Sequence, residues 1–215
     1  MNKDTLILTI FWIFGGAFIL FAYWLRVKHG KTIRERIVGI VEQHGLTDIQ
    51  LRWWFGNGVR ARWQGYAVTC YFHARYKSTP ARIVTTVDID GAPRIIVKRK
   101  FGESWLQKPM TLIGPPLVNF DTGQQLWVRA DEAPLAERVL RDPRVAALLE
   151  VNLIEKFDEI ALSAKQLRIQ RCIDGTHIKE RCGKADQFAI TTRVAGEEVP
   201  LALAIVQTLA LRPRN

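Results

Sequence analysis

Hydrophobic and polar positions divide the chain into three regimes. From Leu6 to Leu25 the run LILTIFWIFGGAFILFAYWL holds no charged residue. At 1.5 Å rise per residue such a helix spans about 30 Å, the thickness of a bilayer's hydrocarbon core. This pattern predicts a transmembrane helix. A signal peptide fits less well, because the apolar run is long, Lys3 is offset by Asp4, and no small-x-small cleavage site follows. From Thr32, Ile33, Ile37, Val38, Ile40 and Val41 recur at helical spacing until Gly45, predicting a short helix that leads into the domain.

Beyond Gly45 the period drops to two. Five strands are predicted as an antiparallel meander. In LRWWFGNGVRARW a three-residue Gly56-Asn57-Gly58 loop sets Phe55 against Val59, Trp53 against Ala61 and Leu51 against Trp63, which keeps one face apolar. Arg52 then opposes Arg62, a destabilising like-charge pair unless something anionic lies over it. A Gln64-Gly65 turn pairs Trp63 with Tyr66, Ala61 with Val68 and Val59 with Cys70. After a loop at Ser78-Thr79-Pro80, Phe72, Ala74 and Tyr76 are expected opposite Val87, Thr85 and Ile83, and an Asp90-Gly91 turn leads to RIIVKRKF.

The third regime mixes helices and short strands. Gly102–Phe120 reads as a long connection. QLWVRA reads as a strand and DEAPLAERVLRDPRVAALL as two helices, with Asp131 capping the first and Asp142-Pro143 opening the second. Val151–Phe157 fits helix and strand equally. In EIALSAKQLRIQRCIDGTHIKERC a Gly175-Thr176 turn pairs Ile173 with Ile178, Arg171 with Glu180 and Ile169 with Cys182. EEVPLALAIVQTLAL reads as a helix opened by its acidic residues and Pro200, apolar on nearly every side and expected to cover the sheet. The expected fold is therefore α+β, with a transmembrane anchor and basic juxtamembrane segment over 1–31 and one domain over 32–215.

Composition and charge narrow the function. The net charge of +10 over 215 residues implies an anionic partner, which could be lipid headgroups, nucleic acid or an acidic protein surface. Basic residues after the apolar run, including Arg26, Lys28 and Lys31, place the N-terminus outside and the domain in the cytoplasm, at a bacterial inner membrane. Trp24, Arg26, Lys28 and Lys31 are expected at the membrane surface, where anionic lipid is a possible ligand. Three cysteines suit a reducing compartment, and the predicted register separates Cys172 from Cys182, which argues against metal and disulfide.

For binding an anionic partner the candidates are Arg52, Trp54, Arg60, Arg62, Arg75 and Lys77, on the outward face of the meander. Nucleic acid is disfavoured, since most aromatic residues of that region point to the core and no recognition motif is present. No phosphate loop, nucleophile elbow or zinc-protease pair appears, so neither enzyme activity nor a cofactor is expected. The order of anchor, meander, the segment NFDTGQQLWVRADEAPLAERVLRDPRVAALL, short strands and closing helix resembles uncharacterised bacterial single-pass membrane-anchored families. That resemblance implies no substrate or cofactor. These features together point to a non-enzymatic auxiliary subunit or scaffold, with a membrane-tethered lipid- or nucleic-acid-binding module as the alternative.

Overall fold

The structure is a computed structural model, and it describes residues 3–52, 57–75, 79–99, 117–118, 126–155, 158–174 and 187–213. Helix α1, Lys3–Gln43, is a single element of 41 residues. Its second half is amphipathic: Ile33, Ile37, Ile40 and Val41 are buried, whereas Glu35, Arg36 and Glu42 are exposed. Gly45, at φ +73°, ends it as expected. Its N–H donates to the Glu42 carbonyl at 2.9 Å, and the Leu46 N–H donates to the Val41 carbonyl at 3.1 Å. This double bond pattern satisfies carbonyls that the last turn would otherwise orphan, and a left-handed glycine makes it possible.

The transmembrane expectation is overturned. Among the described residues no helix is long and apolar enough to cross a membrane. The exposed apolar side chains described in α1 run from Trp12 to Leu25. Beyond them the same helix continues without a break into its charged, domain-packed half. Trp12, Phe14, Phe18, Ile19 and Leu20 are all about 70% exposed, so this segment contributes nothing to the domain's core.

The antiparallel sheet contains β1 (Thr47–Arg52), β2 (Asn57–Trp63), β3 (Tyr66–His73), β4 (Arg82–Asp90), β5 (Ile95–Arg99), β6 (Leu117–Val118), β7 (Leu126–Ala130), β8 (Glu159–Leu162) and β9 (Gln166–Cys172). A short β10, Arg212–Pro213, pairs with the end of β4. The spatial order is β1-β2-β3-β4-β9-β8-β5-β7-β6. The β2–β3 hairpin has the expected register, with Val59 opposite Cys70, Ala61 opposite Val68 and Trp63 opposite Tyr66.

Three pairings differ from expectation. Leu51 lies opposite Val59, Arg52 opposite Gly58, and Thr47 opposite Arg62. The connection between β1 and β2 is thus longer than three residues, and Arg52 does not oppose Arg62; Trp53, Trp54, Phe55 and Gly56 lie outside the described residues. Phe72 faces Ile83 rather than Val87, a slip of four that leaves the same residues facing the core. The five-strand meander ends after four strands. The hairpin β8–β9 is inserted between β4 and β5, because Leu167 and Ile169 on β9 and Ile160 and Leu162 on β8 extend the same apolar rows as Val87, Thr85, Val97 and Ile95. Arg171, expected opposite Glu180, faces Ile83 of β4. Residues 175–186, including Glu180 and Cys182, lie outside the described residues.

Two short helices follow β7, α2 (Ala133–Arg141) and α3 (Pro143–Asn152). Asp142 caps α3 as expected, accepting from the Arg144 N–H at 2.9 Å, and its carboxyl also accepts from Thr208 at 2.7 Å. The side-chain bond from Arg144, then that from Thr208, hold this carboxyl well below the usual carboxylate range. Asp131 does not cap α2. Its carboxylate accepts instead from the Arg94 N–H at 3.2 Å, and Glu132 occupies the cap position without a side-chain bond.

The last helix, α4, Gln187–Leu209, begins ten residues before the expected Glu197, and Pro200 lies inside it. Proline removes a helical hydrogen bond there. The Asn152 amide donates to the neighbouring Glu197 carbonyl at 3.3 Å, tying α3 to α4 beside the proline. As expected, α4 covers the sheet. It lies against β4 and β9 on one side and α1 and α3 on the others, which accounts for its lack of a polar stripe: Val194, Ala195, Val199, Leu201, Ala202, Ile205 and Val206 are all buried.

Gly58 permits the closest strand approach in the first hairpin. A Cβ there would lie 2.9 Å from the Tyr71 Cβ, inside van der Waals contact. Gly58→Ala is expected to destabilise the domain by about 1–3 kcal/mol through this overpacking, read as a shift in the denaturant midpoint with unchanged slope. An unchanged midpoint would show that β2 and β3 can separate at no cost.

Candidate functional site

Alternation along the strands sends one set of side chains to α4 and the other to the opposite, outer face. On the outer face the register places Arg60 of β2 beside Thr69 of β3, Thr86 of β4 and Arg168 of β9 in one row across four strands. Tyr71, Val84, Gln170 and Glu159 form the adjoining row. The face is therefore basic, as expected, but its centre lies further along the sheet than the first hairpin.

Of the expected binding residues, Arg60 and Arg62 come together. They line a cavity of about 510 Å³ with Asp48, Gln50 and Asp88, open to solvent near the sheet edge. Arg60 reaches Asp88 at 3.8 Å, and Arg62 is exposed. Both partners of the Arg60–Asp88 pair are about one-third or more exposed, so the pair contributes little to stability. Arg75 is exposed beyond the end of β3 and does not line this cavity. Arg52 belongs to β1, its side chain outside the described residues, as are Trp54 and Lys77.

Of the residues expected at a membrane surface, Trp24 is half exposed, and the Lys28 ammonium sits 5.1 Å from its ring centroid. Lys31 pairs with Glu35 at 3.9 Å, and the Arg26 side chain lies outside the described residues. The Lys28–Trp24 geometry is that of a cation–π contact at an exposed site.

The densest group of cations on the outer face was not among the sequence candidates. Arg82 of β4 and Arg168 of β9 both donate to one atom, the Gln170 amide oxygen, the first at 3.1 Å. Both Nε atoms are buried and have no hydrogen-bond partner among the described residues. Burial of an unsatisfied donor costs about 1–3 kcal/mol, more for a charged group. His73 lies opposite Arg82, its ring edge-on to Tyr71 at 4.8 Å between centroids. Burial, then the charges of Arg82 and Arg168, lower its pKa, which favours the neutral imidazole. The alternation LRIQRC already assigned Arg168 and Gln170 to one face. What it could not show was that β4 is the neighbouring strand.

On the core side, the same two strands meet α4 through a sealed polar cluster. Arg171, fully buried, donates to the Glu197 carboxylate and to the Asn152 side-chain oxygen at 3.5 Å. Thr85 donates to Glu198 at 2.7 Å. Burial pushes the Glu198 carboxyl up to about 8, outweighing the Thr85 bond and the Arg171 charge. Asp158, also buried, accepts from the N–H groups of Cys172, Ile154 and Glu155, at 2.7, 2.9 and 2.6 Å. Burial nonetheless pushes it up to about 6. Cys70 is driven up to about 12, chiefly by burial and then by Glu198, and Cys172 to about 11, chiefly by burial. Neither thiol is an available nucleophile near neutral pH. Among the described residues no three His, Cys, Asp or Glu side chains come together as metal ligands.

No protein-family model matches the chain, and no curated protein does. Among solved structures it is similar to the mycobacterial trehalose monomycolate transport factor A, TtfA, over 85% of this chain and 98% of that one. The identity is 11% and the TM-score 0.41, a likeness that carries no functional argument.

The buried carboxyls set a pH dependence whose sign follows from their raised values. A carboxyl that is neutral in the fold and has an ordinary value near 4.5 when unfolded contributes stability that is complete below that value. This contribution is lost as pH rises through about 8 for Glu198 and through about 6 for Asp158. Thermal stability is therefore expected to fall from about pH 4, where the unfolded carboxyls ionise, to about pH 8, and Glu198→Gln, which keeps a neutral hydrogen-bonding group, should flatten the upper part of the fall. Equal slopes in both proteins would refute the assignment to Glu198.

Proposed function

We propose that this protein is an auxiliary subunit or scaffold without chemistry of its own, whose basic outer sheet face binds an anionic protein partner. The observation that carries this reading is the concentration of Arg60, Arg62, Arg82 and Arg168 on the outer face of neighbouring strands. The carboxylates that neighbour them, Asp88 and Glu159, already face Arg60 and Lys98. A surface with this imbalance attracts negative charge and gains most from a partner that supplies carboxylates.

Two further observations support the reading. Glu198 and Asp158, the carboxyls with raised values, are sealed in the core at 0% and 1% exposure, away from any substrate that stays outside the fold. The outer-face aromatic ring beside the arginines, Tyr71, is engaged edge-on with His73 rather than offered as a platform for a base.

Affinity purification of the full chain in mild detergent tests the reading. A stoichiometric protein partner is expected. Arg60→Glu with Arg62→Glu should weaken its retention by roughly tenfold or more, because like charge replaces attraction at the rim and in the cavity. Recovery of lipid or nucleic acid alone, with no protein, would sink the proposal.

A further inference from the structure

Strand β1 stands at one end of the sheet, and among the described residues no strand pairs with its outer side. Thr47, Asp48, Gln50 and Leu51 are all exposed, so this edge is open to solvent. Its two ends differ. Between Thr47 and Gln50 the register against β2 shifts, and Asp48 lies in the left-handed region at φ +52°. A bulge of this kind bends the strand and blunts its edge against further pairing. From Gln50 to Arg52 the ladder is regular, with Gln50, Leu51 and Arg52 opposite Arg60, Val59 and Gly58. Main-chain groups that point away from β2 at this end are free to pair with another strand.

The side chains here set the chemistry of what pairs with it. Leu51 shares the core-side face with buried Val59, yet it is 48% exposed. Outside α1 it is the one large apolar side chain among the described residues that is exposed. A lone exposed leucine is ordinary on a surface, but on an open edge an added strand would cover it. Gln50 points the other way, and with Arg60 and Arg62 it lines the cavity of about 510 Å³ on the basic face, where Gly65 and Ala67 leave room. Successive residues of an extended segment alternate between the two faces. Resting on the proposed function, we infer that the Gln50–Arg52 edge is where the protein partner docks, by adding an extended strand that alternates acidic residues, directed to Arg60 and the cavity, with apolar residues set against Leu51.

The arginines of β2 lie two strand spacings from such a segment, roughly 10 Å at about 4.8 Å per strand. That is about the Debye length at 0.1 M salt. Charge therefore selects the incoming strand and its facing, while main-chain bonds and the Leu51 contact hold it. Asp48 repels acid at the bulged end, which strengthens the preference for the Gln50 end. The same charges disfavour a second copy. Pairing β1 with its counterpart would set Arg60 and Arg62 of one copy about three strand spacings, roughly 14 Å, from those of the other, in two chains each of net charge +10.

Fluorescence anisotropy of a fluorescein-labelled octapeptide that alternates glutamate and valine, titrated with the full chain in mild detergent, tests the edge. The natural chain should bind it. N-methylation of every peptide nitrogen in the probe removes its donors and should weaken binding by roughly tenfold or more. Lysine in place of glutamate should weaken it by roughly tenfold. Leu51→Gln, at an exposed position, should leave the melting temperature unchanged and weaken binding by roughly threefold to tenfold. Failure of the natural chain to bind, or equal binding of the N-methylated probe, would overturn the edge. A dimer of the natural chain in analytical ultracentrifugation that Leu51→Gln dissociates would overturn it in favour of a second copy. If the probe fails while affinity purification still recovers a stoichiometric protein partner, the proposed function stands without this edge. If the probe binds as expected and no protein is recovered, the edge stands and the proposed function fails.

Discussion

Burial of α4 across the apolar face of the sheet is the constraint on which the rest of the structure depends. A helix covered on one side by β4 and β9 and on the others by α1 and α3 keeps only a narrow exposed strip, at Ala189, Arg193 and Gln207, for polar residues. Glu197 and Glu198 fall in its middle. They are tolerated because the strands beneath supply Arg171 and Thr85, and α3 supplies Asn152. An ionised carboxylate in that position would carry a large desolvation cost, and protonation of Glu198 avoids it. The net charge of the buried cluster is thus held down by one ion pair and one neutral acid.

The same register that closes the core also composes the outer face. Leu167, Ile169 and Arg171 point towards α4, so Arg168 and Gln170 must point away. A slip of one residue between β4 and β9 would bury Arg168 and expose Ile169, at a cost no surface contact could offset. Arg82 and Arg168 are consequently placed by the packing of residues on the other side of the sheet. This is how a cluster of like charges can persist in the fold without internal neutralisation.

Much of the architecture was legible in local pattern. The α+β class, the β2–β3 register, the strand at Leu126–Ala130, the Asp142 cap and the closing helix all rest on periodicity or turn chemistry within a few residues. The insertion of β8–β9 between β4 and β5 was not legible. It joins residues about 85 apart, such as Val84 and Gln170, and apolar alternation alone is satisfied equally by a simple meander. The transmembrane expectation came from composition over Leu6–Leu25, which does not reveal that the helix continues unbroken into the domain. For the site, Arg60 and Arg62 were reached through the β2–β3 register, whereas Arg82 and Arg168 needed a pairing that no local signal encodes.

Strand β9 carries two arginines three residues apart, treated in opposite ways by the fold. Arg171 faces the core and is matched by a carboxylate from α4; Arg168 faces outward and is matched only by an amide it shares with Arg82. The difference is not one of available acid, since Glu159 and Asp88 lie on the same face in neighbouring strands. Those carboxylates are drawn off by Lys98 and Arg60. Local pairing therefore divides the face into neutralised margins and a positive centre.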